Sequence, residues 1–197
     1  MCSSDLPRTA NGLMSPNLSS ICAARRTRLA AAMGRGIAVI PTAPERVRNR
    51  DAHHAYRFDS YFYYLTAFPE PESVLVVVGG DAPRSMLFCR ERDAEREIWD
   101  GFRHGPEAAR DAFGLDECHP IGRLDEVITG LLADQPALFC PVGADAEWDV
   151  RMVGWINRVR AQARSGVTAP GEIREVRALL DAMRSEEHTS ELQSLAY

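Results

Sequence analysis

Arg57-Phe58-Asp59-Ser60-Tyr61-Phe62-Tyr63-Tyr64-Leu65-Thr66 is the stretch on which the fold turns, and Ala67-Phe68-Pro69-Glu70-Pro71-Glu72 continues it. Asp59-Ser60 offers the side-chain acceptors that close the free N–H groups of a first helical turn. Behind them Phe62, Tyr63, Leu65 and Phe68 are expected to fill a core beneath one or two turns. A block so aromatic could also serve as a base-stacking platform, but no basic surface accompanies it, so core packing is the better reading. Upstream, Arg48, Arg50 and Arg57 alternate with Asp51 and Asp59, and Glu70 and Glu72 follow. These acids could form a carboxylate pair for acid–base chemistry. The arginines are expected instead to pair with them and fix an irregular buried loop.

Toward the N-terminus, residues 18–33 are rich in Ala and Arg, with Leu18, Ile21, Leu29 and Met33 near helical spacing. Gly34 then stands where a helix C-cap needs a positive φ. Ile37-Ala38-Val39-Ile40 reads as a buried strand closed by Pro41. Val74 to Val78 and Met86 to Cys89 read as two more strands, joined as a hairpin through Asp81 and Pro83. Further on, Asp93 can cap a helix through Trp99 that breaks at Gly101. Gly105-Pro106 opens another helix to Phe113, with proline at a favoured first position. Leu124 to Leu132 is amphipathic, and Ala137 to Cys140 is a strand. Ala146 to Ala163 places Trp148, Met152, Ile156 and Val159 on one stripe. Glu172 to Met183 is expected to be a final helix. Strands interleaved with helices predict an α/β domain, a mixed β-sheet flanked by helices.

The chain has 197 residues, 45% of them hydrophobic, enough for one sizeable core. No apolar run approaches the roughly 18 residues that cross a bilayer, and no cationic stretch followed by an apolar one marks a secretory signal. Cys2, Cys22, Cys89, Cys118 and Cys140 are scattered without a C-x-x-C pair, the pattern of reduced thiols in a cytoplasm. All 23 basic residues are arginine, which reads as the codon bias of a GC-rich bacterial genome. Both ends look foreign: residues 1–6 and 185–197 resemble translated sequencing adapter. The expected organisation is a disordered lead-in over 1–15, a domain over 16–184 and a non-native tail over 185–197. Without Asp5, Glu186, Glu187 and Glu191 the 28 acids fall to 24 against 23 arginines, and the net charge of −5 becomes −1. Neither nucleic acid nor a membrane surface is then expected as a partner.

No H-E-x-x-H, G-x-S-x-G or phosphate-binding glycine motif occurs. His53, His54, His104 and His119 lie in three separate segments and read as surface or capping residues, not as metal ligands. No catalytic and no metal-binding residue is therefore assigned. Trp99 is different, standing between Glu97 and Asp100 just before a glycine turn, where a buried indole would be awkward. An exposed tryptophan there is expected to contact a partner subunit.

The Arg57–Thr66 block with Glu70-Pro71-Glu72, the Glu97-Ile98-Trp99 block and Thr168-Ala169-Pro170 together resemble the N-terminal domain of aminopeptidase P, in the creatinase/prolidase family. The resemblance runs from about Ala24 to Arg184. Family members usually carry glycine where this chain has Ala67. The resemblance implies a complete protein that is a manganese-dependent peptidase releasing an N-terminal residue that precedes proline. A two-metal centre would activate a bridging hydroxide, held by carboxylates and a histidine of a C-terminal "pita-bread" domain that this chain does not contain. It further implies that the partners are that catalytic domain and the subunits of a homo-oligomer, with peptide substrate bound only by the full-length enzyme. Trp99 and Arg164 match residues near the substrate entrance, the tryptophan reaching toward a neighbouring subunit's active site in some members. The other function class open to this sequence is a stand-alone protein-binding module, as in non-catalytic relatives.

Overall fold

A computed structural model describes residues 16–50 and 52–195; the expected lead-in, with Cys2 and Asp51, lies outside the described residues. Helix α1 (Pro16–Met33) leads to strand β1 (Ile37–Pro41), a ribbon of β2 (Val47–Asn49) and β3 (Ala52–His53), helix α2 (Ser60–Thr66), and strands β4 (Val74–Val78) and β5 (Arg84–Cys89). Helices α3 (Glu97–Asp100) and α4 (Gly105–Phe113) precede β6 (Glu117–Pro120), after which come α5 (Leu124–Leu131), β7 (Ala137–Cys140), α6 (Ala146–Arg160), β8 (Glu172–Glu175) and α7 (Arg177–Leu195). Six strands form a mixed sheet in the order β6-β5-β4-β1-β7-β8, flanked by the helices, as the alternation of periods predicts. β5 runs parallel to β6, and β7 parallel to both β1 and β8.

The chain forms two compact units. The first holds the described residues up to Thr27 with 41–75 and 85–121. Its core is Cys22, Phe62, Leu65, Phe68, Leu75, Leu87, Phe88 and Phe113, all buried. Asp59 caps α2 as expected, its Oδ1 accepting from Tyr61 N and Phe62 N at 2.9 Å each. Tyr63 departs from expectation: half-buried, it stacks on Phe58 with ring centroids 3.8 Å apart. The predicted stripe of α1 also shifts, because Ile21 faces solvent and the arginine at 26 takes a buried place. Arg26 donates to Leu65 O at 2.9 Å, to Ser85 Oγ at 3.2 Å and to Gly114 O. Ser85 in turn donates to Asp116 Oδ2 through both N and Oγ. Burial pulls the Arg26 guanidinium below its usual range, with Cys22 and Asp116 opposing the shift. A buried charge is tolerable only when so fully bonded.

The expected buried loop is an exposed ribbon: β2 and β3 pair antiparallel, and Arg48, Arg50 and Arg57 face solvent. The acids find other partners. Asp59 is spent on the α2 cap, Glu70 turns to Arg90 and His104, and Glu72 is exposed.

The second unit holds 28–40, 76–84 and 122 onward. Gly34 has φ +66, the C-cap conformation its position predicts. Buried Ile37–Ile40, Leu138 and Phe139 line β1 and β7, and α6 adds Met152, Ile156 and Val159. The stripe on α6 is rotated from expectation, since Trp155 is fully buried while Trp148 is half-buried and packs edge-on against it at 5.9 Å. Trp155 Nε1 donates to Asp125 Oδ1 at 2.6 Å, and Arg151 Nε to the same oxygen at 2.8 Å. That bond satisfies the indole N–H, so this tryptophan can be buried.

The expected helix over 172–183 is corrected. Glu172–Glu175 is a strand, registered from Ala137↔Glu172 to Cys140↔Glu175, because the open edge of β7 supplies its backbone partners. The helix begins only at Arg177, whose N–H donates to Glu175 Oε1 at 2.8 Å. It then runs on to Leu195, and Arg28 pairs with Glu186 at 2.8 Å and Glu187 at 2.9 Å.

Candidate functional site

The segment after β5 is built around a turn. Asp93 Oδ1 accepts from Glu95 N and Arg96 N, and Asp93 O from Glu97 N at 2.8 Å. The aspartate therefore caps a turn, and the helix that follows is only the four residues of α3, shorter than the expected run from Asp93. Gly101, with φ +83, ends it. Trp99 N donates to Arg96 O at 2.9 Å, which leaves the indole outside the turn. Trp99 is 87% exposed, Ile98 77% and Phe102 62%. Three large apolar side chains are thus exposed within five residues of one another. Sequence reasoning singled out Trp99 alone; the signal for Ile98 and Phe102 was their placement among charged residues and glycine.

Beneath this turn lies a buried polar cluster that the sequence did not reveal. Glu70 Oε1 accepts from His104 N at 2.8 Å and from His104 Nδ1 at 2.5 Å. Arg90 Nη2 stands 3.8 Å from Glu70 Oε2, with the two side chains 8% and 7% exposed. The His104 ring packs edge-on against Phe102 at 4.9 Å and Phe113 at 5.2 Å. His104 occupies the N-cap position of α4 but makes no side-chain cap bond, its ring being committed to Glu70.

The remaining histidines do not converge with it. His119 Nε2 meets Glu117 Oε2 at 3.1 Å, and His53 and His54 are exposed. Among the described residues no three His, Cys, Asp or Glu side chains come close enough together to hold a metal ion. No described helix is long and apolar enough to cross a membrane.

Arg164 belongs to the second unit, exposed on a 3₁₀ turn, Ala163–Ser165, that ends at Gly166 with φ +82. The chain beyond it is tied down by a reciprocal pair: Asp134 N donates to Thr168 O at 2.8 Å and Thr168 N to Asp134 Oδ1 at 2.9 Å.

A mixed six-stranded sheet flanked by helices places the chain in the class of α/β domains. The family can be stated more closely. Residues 22–139 match the model of the family described as aminopeptidase P, N-terminal domain, and the chain belongs to that family. Trp99 falls inside the match and Arg164 beyond it. The Xaa-Pro aminopeptidase of Escherichia coli strain K12 is 34% identical over 149 residues, which are 75% of this chain and 34% of that protein. The solved aminopeptidase PepP of Pseudomonas aeruginosa is 44% identical, with a TM-score of 0.78 over 82% of this chain and 37% of its own. A variant of E. coli aminopeptidase P in complex with substrate gives a TM-score of 0.79 at 33% identity, over 82% of this chain and 38% of its own. The chain thus spans about a third of the length of these relatives.

Proposed function

We propose that this chain is the non-catalytic N-terminal part of a manganese-dependent Xaa-Pro aminopeptidase, shaping substrate access and subunit association. The observation that carries this reading is Trp99, 87% exposed on a turn anchored from below. An aromatic held out in solvent makes a contact anchor, since it contributes area with little side-chain entropy to lose. Arg164, exposed on its own turn in the second unit, is proposed as a further substrate-access residue. Its partners in this reading are the catalytic domain of the same polypeptide and other copies of the enzyme, in the cytoplasm. The described cysteines are all free thiols, in keeping with that compartment. The described residues do not fit a metal centre, and no hydrolytic step is assigned to them. Manganese, in this reading, is held by the part of such enzymes that the chain does not span.

The test is the polypeptide read from the source genome past Arg184. It should continue into an acidic and histidine ligand set and cleave peptides with proline in second position. Trp99→Ala in that protein should lower turnover or subunit association. Its stability should change by less than about 0.5 kcal/mol, as for ordinary surface changes. Intact cleavage and assembly with Trp99 removed would overturn the access role. A continuation without metal ligands would favour the binding-module reading instead.

A further inference from the structure

We propose that Glu70 is a clasp that gathers both ends of segment 91–103 and so holds the Trp99 turn ready for contact, an inference that rests on the contact role given to Trp99 above. Arg90 immediately precedes this segment and His104 immediately follows it, and both bind the one buried carboxylate. Oε1 takes both N–H groups of His104, at 2.8 and 2.5 Å, while Oε2 faces Arg90 and accepts no hydrogen bond from the described residues. One carboxylate thus holds His104 by hydrogen bonds at Oε1 and faces the Arg90 charge at 3.8 Å from Oε2.

The two ends also pack together. Gly105 has φ +73, and a Cβ there would lie 2.8 Å from Arg92 Cγ, so glycine is what lets the start of the segment lie against its end. A surface segment with its ends drawn together in this way is an Ω-like loop.

What this loop carries explains why it should be held. Ile98, Trp99 and Phe102 gain nothing by exposure in the isolated chain. Ordering them in advance reduces the entropy lost when a partner covers them. A buried ion pair is a poor source of net fold stability compared with apolar packing. It does fix where residues 90 and 104 stand. Glu70 is therefore a positioning residue for the exposed turn.

Limited trypsin digestion of the chain tests this. With no lysine in the sequence, cleavage occurs only after arginine. Arg92 and Arg96 are exposed within the segment, Arg103 is buried at its end, and Arg158 and Arg160 on α6 serve as internal references. Glu70→Leu combined with Arg90→Met removes both charges together, so no unpaired charge is left inside. The expected result is cleavage after Arg92 and Arg96 at least about tenfold faster, with Arg103 newly cut, against unchanged references. Glu70→Gln combined with Arg90→Met keeps the acceptor for both His104 N–H groups, again with no unpaired charge inside, and should restore resistance at Arg103 to within about threefold of the native chain.

Native cleavage rates in the folded chain with Glu70→Leu and Arg90→Met would overturn the proposal. So would a chain with Glu70→Gln and Arg90→Met cut after Arg103 as fast as the chain with Glu70→Leu and Arg90→Met. Cleavage rising alike after every arginine of the first unit would overturn it too, by making Glu70 an ordinary fold residue. Trp99→Ala leaves the clasp in place and should not change these rates, so failure of the contact role and failure of the clasp give different results.

Discussion

Ala67 closes α2 in the left-handed region, at φ 52 and ψ 16, with its N–H donating to Tyr63 O at 2.7 Å. A Cβ in that region meets the following carbonyl, a strain glycine does not suffer. Against this, glycine gives the unfolded chain more freedom. The strain outweighs that freedom, so Ala67→Gly should stabilise the chain by about 0.5–1 kcal/mol. Thermal unfolding should report a rise of roughly 2–4 °C per kcal/mol for a chain of this size. A fall would mean that the buried methyl group contributes more through packing than its backbone costs.

The strands place three thiols where they should be inert. Cys89 on β5, Cys118 on β6 and Cys140 on β7 are each pushed up to about 12, in each case chiefly by burial. Since the thiolate is the nucleophile, a rise from 9.0 to about 12 leaves about a thousandfold less reactive species at pH 8. Alkylation followed by peptide mapping should find these three unmodified in the native chain and labelled once it is unfolded. Rapid native labelling of any of them would show its strand end opening.

Helix α5 and strand β8 carry the opposite kind of shift. Burial alone would raise the Asp125 carboxyl, but the bonds from Arg151 and Trp155 outweigh it and hold the group below its usual 3.8. The bonds from Arg177 hold Glu175 below 4.5. A carboxyl depressed in the folded state contributes stability that is complete above its unfolded value and is lost as pH falls through the folded one. Stability of the second unit should therefore fall below about pH 4.5 on this account. Arg151→Met should raise the Asp125 midpoint in a carboxyl NMR titration, and an unmoved midpoint would remove Arg151 from the explanation. Asp125 and Glu175 both keep about a third or more of their side chains in solvent, so screening keeps the effect modest.

At the scale of the whole molecule, the tail over 185–197 is proposed to be non-native, although α7 is helical through Leu195. Its described tertiary contacts include the pairs from Arg28 to Glu186 and Glu187, with Arg28 40% exposed and Glu186 71%. Exposed ion pairs contribute about 0–1 kcal/mol each, whereas Leu180 and Met183, which are buried, lie before the tail. Ending the chain at Arg184 should therefore lower the melting temperature by no more than a few degrees, about 2–4 °C for each kcal/mol lost. A larger drop in calorimetry would show that the tail is part of the fold.

Local chemistry made most elements legible in the sequence. Asp59 had a helix to cap, Gly34 a helix to end, and Ile37–Ile40, Val74–Val78 and Ala137–Cys140 were apolar runs of strand length bounded by turn residues. The Glu-Ile-Arg-Glu of β8 was not legible, because four residues of mixed polarity have no period of their own and become a strand only through the edge that β7 offers. Arg26 could not be read as buried, since its place inside depends on Leu65, Ser85 and Gly114, all remote in sequence. The candidate site divides in the same way. The exposure of Trp99 followed from its charged neighbours and the glycine after it, which the sequence states by itself. That Glu70 joins Arg90 to His104 beneath it was decided only in three dimensions, because a buried carboxylate takes whichever donors the packed chain brings to it.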